Sequence, residues 1–179
     1  DLLTTDKVVL PGVGAFKDCI TNLRDGGFVE PLLQHVEAGK PLLGICVGMQ
    51  MLFDESEEFG RHKGLGLISG KVKRFPAGME EGGERLKVPH MGWNTIQIKQ
   101  AAPIFKGTAQ DSYVYFVHSY YCAADNPADV AAICRYGDVE FSAAVWRDNL
   151  MATQFHPEKS QRAGLELLRA YAAWVSSCA

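Results

Sequence analysis

The chain has 179 residues, 47% hydrophobic and 22% charged, with a net charge of −3, the profile of one ordinary globular domain. That charge argues against an electrostatic nucleic-acid surface, and no apolar run approaches the roughly 18 residues of a membrane span or follows an N-terminal signal pattern. Five cysteines, Cys19, Cys46, Cys122, Cys134 and Cys178, lie scattered without CxxC spacing, which fits reduced thiols in a cytosol better than disulfides or a metal site.

Residues 7–10 read as a short strand, and Pro11-Gly12-Val13-Gly14-Ala15-Phe16 follows at its C-terminal end. Sites in open α/β sheets form beyond such ends. A glycine-flanked loop there can turn backbone N–H groups toward a developing oxyanion, although a turn needing positive φ also explains the glycines. It lacks the Gly-Lys-Ser/Thr ending of a P-loop and the G-x-G-x-x-G spacing. Residues 16–23 and 28–38 read as helices separated at Gly26-Gly27, the second stopped by Gly39-Lys40-Pro41.

A buried strand over residues 42–45 runs into Gly44-Ile45-Cys46-Val47-Gly48 and then a helix-like run over 49–53. This is the pattern of a nucleophile elbow, with the reactive side chain on a tight strand-to-helix turn. The positive end of the following helix is expected to favour thiolate at Cys46. A small buried cysteine at a strand–helix junction is the competing reading.

Residues 56–66 read as an exposed loop. Short strands follow over 71–75, 94–98, 113–118, 130–135 and 142–146, with a mobile loop over 76–85. Residues 150–155 read as a strand leading into His156-Pro157-Glu158. The last element is a helix over 162–175, with Leu165, Leu168, Ala172 and Val175 on one stripe and Leu167, Tyr171 and Trp174 beside it. Cys19 and Cys178 fall in helix-like segments, and Cys122 and Cys134 in or near strands. The layout is α/β in a single domain over 1–179.

A thiol nucleophile needs a base that also protonates the leaving group, and imidazole suits both tasks near neutral pH. That ring needs an acceptor to fix its tautomer. Cys46, His156 and Glu158 therefore form a candidate triad, with oxyanion donors from the backbone near Val13 and Val47.

These runs resemble the class I, triad-type glutamine amidotransferases. Together with Pro89-His90-Met91-Gly92-Trp93-Asn94, Tyr115-Phe116-Val117-His118-Ser119-Tyr120 and Lys159-Ser160, they resemble the glutaminase subunit of imidazole glycerol phosphate synthase, along nearly the whole chain. The resemblance implies an open, mostly parallel sheet flanked by helices, with an added antiparallel region. It implies no cofactor and no metal. It also implies glutamine hydrolysis through a Cys46 thioester, in the cytoplasm, with ammonia passed to a (β/α)8-barrel synthase in histidine biosynthesis. Gly14, Gln50, Ser119 and Tyr120 match substrate-contact positions; Trp93, Tyr115, His118 and Lys159 match positions at or near the partner interface. Family members begin with a further strand and helix, so about 30 residues, one strand–helix unit, are expected to be absent ahead of Asp1 and to leave an exposed sheet edge. The flanking glycines suggest that the Val13 peptide rotates when the partner docks. Amidotransferases feeding anthranilate, carbamoyl phosphate or guanylate synthesis, γ-glutamyl hydrolases, and a catalytically idle synthase-stabilising subunit are the alternatives.

Overall fold

The structure, a computed structural model, describes Leu2 and residues 4–174; the readings for Val175 and Cys178 lie outside them. In chain order the elements are β1 (Val8–Gly12), α1 (Phe16–Asp25), α2 (Val29–Glu37), β2 (Leu42–Cys46), α3 (Val47–Gln50), β3 (Phe53–Ser56), β4 (His62–Lys63), β5 (Ile68–Arg74), β6 (Glu80–Glu81), β7 (Glu84–Arg85), β8 (His90–Thr95) and β9 (Gln97–Ile98). They continue with β10 (Tyr113–His118), β11 (Tyr120–Ala124), β12 (Val130–Tyr136), β13 (Val139–Arg147), β14 (Leu150–Thr153) and α4 (Gln161–Ala173).

The main sheet runs β1-β2-β14-β13-β12-β9. β2 pairs parallel with both β1 and β14, and the rest of the sheet is antiparallel. Every residue of β2 and β14 is buried, which is why both read as unbroken apolar runs rather than alternating ones. Side chains such as Leu42, Leu43 and Met151 are fully enclosed, each contributing about 1.5–3 kcal/mol on burial. β1 forms one edge of the sheet, and Val9 and Phe28 are exposed beside it. A second sheet, β11-β5-β3-β4, antiparallel except for its parallel β3–β5 pair, and a two-stranded antiparallel ribbon, β8 with β10, form the added β region.

Several elements depart from the sequence reading. The helix expected over 49–53 is a single turn ending at Gln50, because the carbonyls of Met51, Leu52 and Phe53 accept from Leu65, Leu67 and Gly66 respectively. Those long-range bonds pull Phe53 into β3. Residues 56–66 contain β4, which pairs with β3, and residues 80–85 form the β6–β7 hairpin. The strand β11 was not expected. On α4 the buried positions are Gly164, Leu167 and Tyr171, whereas Leu165 is 52% exposed. Tyr171 selects that face: its hydroxyl reaches the Val8 and Pro41 carbonyls at 2.7 and 3.0 Å, docking the helix against β1 and the start of β2.

Candidate active site

Cys46 ends β2 and starts α3 with φ 55° and ψ −114°, a conformation that costs a non-glycine residue about 1–3 kcal/mol and persists only where its surroundings impose it. The imposing contacts are glycine contacts. A Cβ on Gly48 would stand 1.8 Å from the Leu10 carbonyl oxygen, and one on Gly12 would stand 2.7 Å from the Gly48 nitrogen. Gly44 is nearly as tight, with the Gly48 oxygen 3.0 Å from its Cβ position. Elbow and β1 therefore touch backbone to backbone.

β14 lies beside β2 in parallel, Thr153 opposite Ile45, so the chain leaves the sheet next to Cys46 and delivers Gln154, Phe155 and His156 to the same strand ends. His156 is held by its own backbone: its N–H donates to the Tyr115 carbonyl at 2.9 Å, and its carbonyl accepts from the Ser160 hydroxyl at 2.7 Å. Ser160 in turn accepts the Tyr115 N–H at 3.0 Å. The ring nitrogen Nδ1 lies 2.7 Å from Glu158 Oε1. A carboxylate there fixes the proton on Nδ1 and leaves Nε2 with a free lone pair. Nε2 is buried and has no hydrogen-bond partner among the described residues.

Cys46 and His156 line one cavity of about 270 Å³, together with Val13, Gly14, Val47, Gln50, Ser119 and Tyr120. A larger cleft of about 750 Å³, lined by Arg74, Arg85, Lys87 and apolar neighbours, holds no nucleophile. Two of the three candidate triad residues thus open onto the smaller space.

The electrostatics correct the thiolate expectation. Burial pushes the Cys46 thiol up to about 11; the Val47 N–H opposes this, and the Glu158 carboxylate adds to it. With α3 only four residues long, the helix end is too short to outweigh desolvation. At rest Cys46 is a thiol, and to act as a nucleophile it requires an adjacent base.

The remaining candidates divide. Val47 is buried with its N–H at the Cys46 sulfur. Val13 is 78% exposed, and its carbonyl accepts the Cys19 thiol at 3.3 Å. Gly14 has φ 91° and open space around it, whereas Gly12 is fixed in the ladder opposite Cys46. A Cβ at Gly12 would thus press on the elbow backbone, whereas one at Gly14 would meet open space. Gln50 is buried, its amide donating to the Tyr120 carbonyl and to Gln154 Oε1 at 3.1 and 3.2 Å. Trp93, Tyr115 and Lys159 form one partly exposed cluster: the two rings meet edge-on at 5.9 Å, and the Lys159 ammonium stands 6.0 Å from the Tyr115 centroid. His118 does not join them. Its ring is buried, bonded to His90 and to the Tyr120 carbonyl, and it lines the cavity that Cys46 and His156 share.

Two residues of the site escaped the sequence reading. Gln154 is fully buried and links Gln50 to the sulfur, its Nε2 4.0 Å from Cys46 Sγ; a glutamine closing an apolar strand just before His156 was the available signal. Glu58 lines the cavity and accepts the Phe16 N–H at 2.6 Å. It lay in an acidic run that read as solvated surface.

A model of the class-I glutamine amidotransferases matches residues 3–171. The chain belongs to that family. Among curated proteins, it is 63% identical over 164 residues to the imidazole glycerol phosphate synthase subunit HisH of Syntrophotalea carbinolica, covering 92% of this chain and 79% of that one. It is 58% identical to the subunit of that name from Geobacter sulfurreducens, covering 94% and 80%. Among solved structures, PurLQS from Thermotoga maritima superposes with a TM-score of 0.67 at 16% identity, covering 93% of this chain and 78% of that one. A glutamine amidotransferase superposes at 0.66 with 19% identity, covering 94% and 80%. These structural likenesses carry the fold alone.

Proposed function

We propose that the chain is the glutaminase subunit of an imidazole glycerol phosphate synthase, hydrolysing glutamine to glutamate and ammonia for use in histidine biosynthesis. The observation that carries the chemistry is the buried, unpartnered Nε2 of His156 in the cavity that Cys46 lines, with Nδ1 held by Glu158. The identity of the relatives carries the substrate and the pathway.

His156 Nε2 takes the Cys46 proton as the sulfur attacks the glutamine side-chain carbonyl. The oxyanion that forms accepts the Val47 N–H and a second N–H from the Val13 loop. The imidazolium returns its proton to the amide nitrogen, ammonia leaves, and a thioester remains on Cys46. Water, deprotonated by the same ring, then cleaves the thioester and frees glutamate. Glu158 steadies the imidazolium without taking its proton. Gln50, Ser119, Tyr120 and Gly14 shape the substrate end, and the Glu58 carboxylate provides a counter-charge for the glutamine ammonium group.

Ammonia is protonated and lost once it reaches water, so a sealed joint to the consuming enzyme is required. The partner is a (β/α)8-barrel synthase subunit, docked over Trp93, Tyr115 and Lys159, beside the strand whose Tyr115 holds the His156 backbone. Glutamate release measured with and without this synthase and its nucleotide substrate tests the reading. Hydrolysis is expected to rise at least about tenfold when the loaded partner is present, a change of about 1.4 kcal/mol in barrier. Equal rates in both conditions would contradict the coupling.

A further inference from the structure

A buried polar chain reaches the cavity wall at His118 and Tyr120, and its two histidines are not used by the mechanism above. His90 and His118 face each other across the β8–β10 ribbon, with His90 Nδ1 3.0 Å from His118 Nε2. His118 Nδ1 lies 2.8 Å from the Tyr120 carbonyl. A carbonyl only accepts, so His118 carries its proton on Nδ1 and presents a lone pair at Nε2. His90 must then donate from Nδ1 and accept at Nε2, where the Asn94 amide nitrogen stands at 3.3 Å. Asn94 is itself fixed: its nitrogen donates to the Arg135 carbonyl at 2.9 Å and its oxygen accepts the Thr95 N–H at 2.8 Å. Each link dictates the next, and the chain has one direction.

It ends at the atom that also anchors Gln50. The Tyr120 carbonyl takes one hydrogen bond from His118 and another from the Gln50 amide, which fills both lone pairs. Through Gln50 and Gln154 the contacts continue to the Cys46 sulfur. The rings sit in an aromatic cluster, His90 stacked on Tyr136 and Phe116 at 4.0 and 4.9 Å. An added proton would set two donors against each other at either link. Burial agrees, holding His118 down to about 3 and His90 to about 4.

We propose that His90 and His118 are positioning residues for glutamine binding: the one-directional chain Asn94, His90, His118, Tyr120 fixes the carbonyl on which Gln50 is hung, and so sets the substrate end of the cavity. This rests on the reading of that cavity as a glutamine site.

The test is a His90→Phe/His118→Phe variant, assayed in the complex with the synthase, alongside His118→Phe and His118→Asn. Exchanging both buried partners for rings of similar shape leaves no orphaned group between them and should preserve the fold. KM for glutamine is expected to rise about tenfold in the double variant, with kcat changed less than about threefold, the mark of lost binding rather than lost chemistry. His118→Asn, whose amide nitrogen falls near the lost Nδ1, should recover most of the KM change seen in His118→Phe. A double-variant KM within about twofold of the parent, or an Asn variant no better than Phe, would overturn the proposal. Nitrogen-15 NMR of histidine-labelled protein supplies a readout needing no substitution: both rings should be Nδ1–H tautomers, and an Nε2–H tautomer at either would also overturn it. Calorimetry of glutamine binding to Cys46→Ala separates the two readings. No binding with the native histidines removes the glutamine site itself; equal binding with and without them removes only their positioning role.

Discussion

Replacing Cys46 with alanine is expected to lower glutamine hydrolysis by about 10⁴-fold or more, as loss of a nucleophile does in other covalent mechanisms. His156→Ala should cost nearly as much, because burial holds the sulfur as a thiol with a pKa of about 11 and the partnerless Nε2 of His156 is the base that shares its cavity. The two groups act as one unit, so the double variant should be scarcely slower than either single one. Glutamate release under saturating glutamine measures all three. Stability should move the other way. Cys46 sits at φ 55°, and Cys46→Gly relieves that strain, so a gain of about 1 kcal/mol in unfolding free energy is expected beside complete loss of turnover. A Gly variant less stable than Cys46→Ala, which loses the same thiol but keeps the positive φ, would show that the elbow carries no strain.

Gly48→Ala is expected to be the most damaging conservative change in the elbow. Its new Cβ would lie 1.8 Å from the Leu10 carbonyl oxygen and 2.9 Å from the Leu10 carbonyl carbon. Both are backbone atoms of β1, which is laddered to β2 from Val8 to Gly12, so neither side can yield without breaking strand pairing. A loss of about 3–5 kcal/mol in stability follows, together with loss of hydrolysis as Val47 and Cys46 are driven apart from the cavity wall. Gly78→Ala is the control. Its φ is 77° but nothing lies near its Cβ position, so only the backbone penalty of about 1 kcal/mol applies. Urea midpoints for the two variants should differ by the clash. Equal midpoints would mean that β1 and the elbow are not in backbone contact.

What the sequence made legible was whatever is encoded within a few neighbouring residues. Glycines two positions either side of Cys46 announced the elbow, since a close backbone approach leaves glycine as the only choice. The Nδ1–Glu158 contact followed from a His and a Glu two apart across a proline. The apolar runs of β2 and β14 announced strands buried on both faces. Quantities set by distant partners were not legible. The length of α3 depends on bonds from Leu65 to Leu67 into residues 51–53, and the charge state of Cys46 depends on burial outweighing a short helix. His118 entered only through the resemblance, and its pairing with His90 depends on the register of Tyr113–His118 against β8, which nothing local in the sequence sets. Glu58 needed the cavity itself, because nothing in its immediate sequence distinguishes it from a charged loop, and Gln154 needed its distant partners Gln50 and Cys46 to give meaning to a polar side chain at a strand end.

The proposed glutamine hydrolysis requires that Cys46 and His156 act as one nucleophile–base pair. Incubation of the synthase complex with an electrophilic glutamine analogue, followed by peptide mass spectrometry, tests it most directly. A single adduct on Cys46 is expected near neutral pH, absent from His156→Ala at that pH and returning in that variant only as the pH rises toward the thiol's own value of about 11. An adduct on Cys19, Cys122 or Cys134 instead, or Cys46 labelling at neutral pH that ignores the loss of His156, would contradict the account.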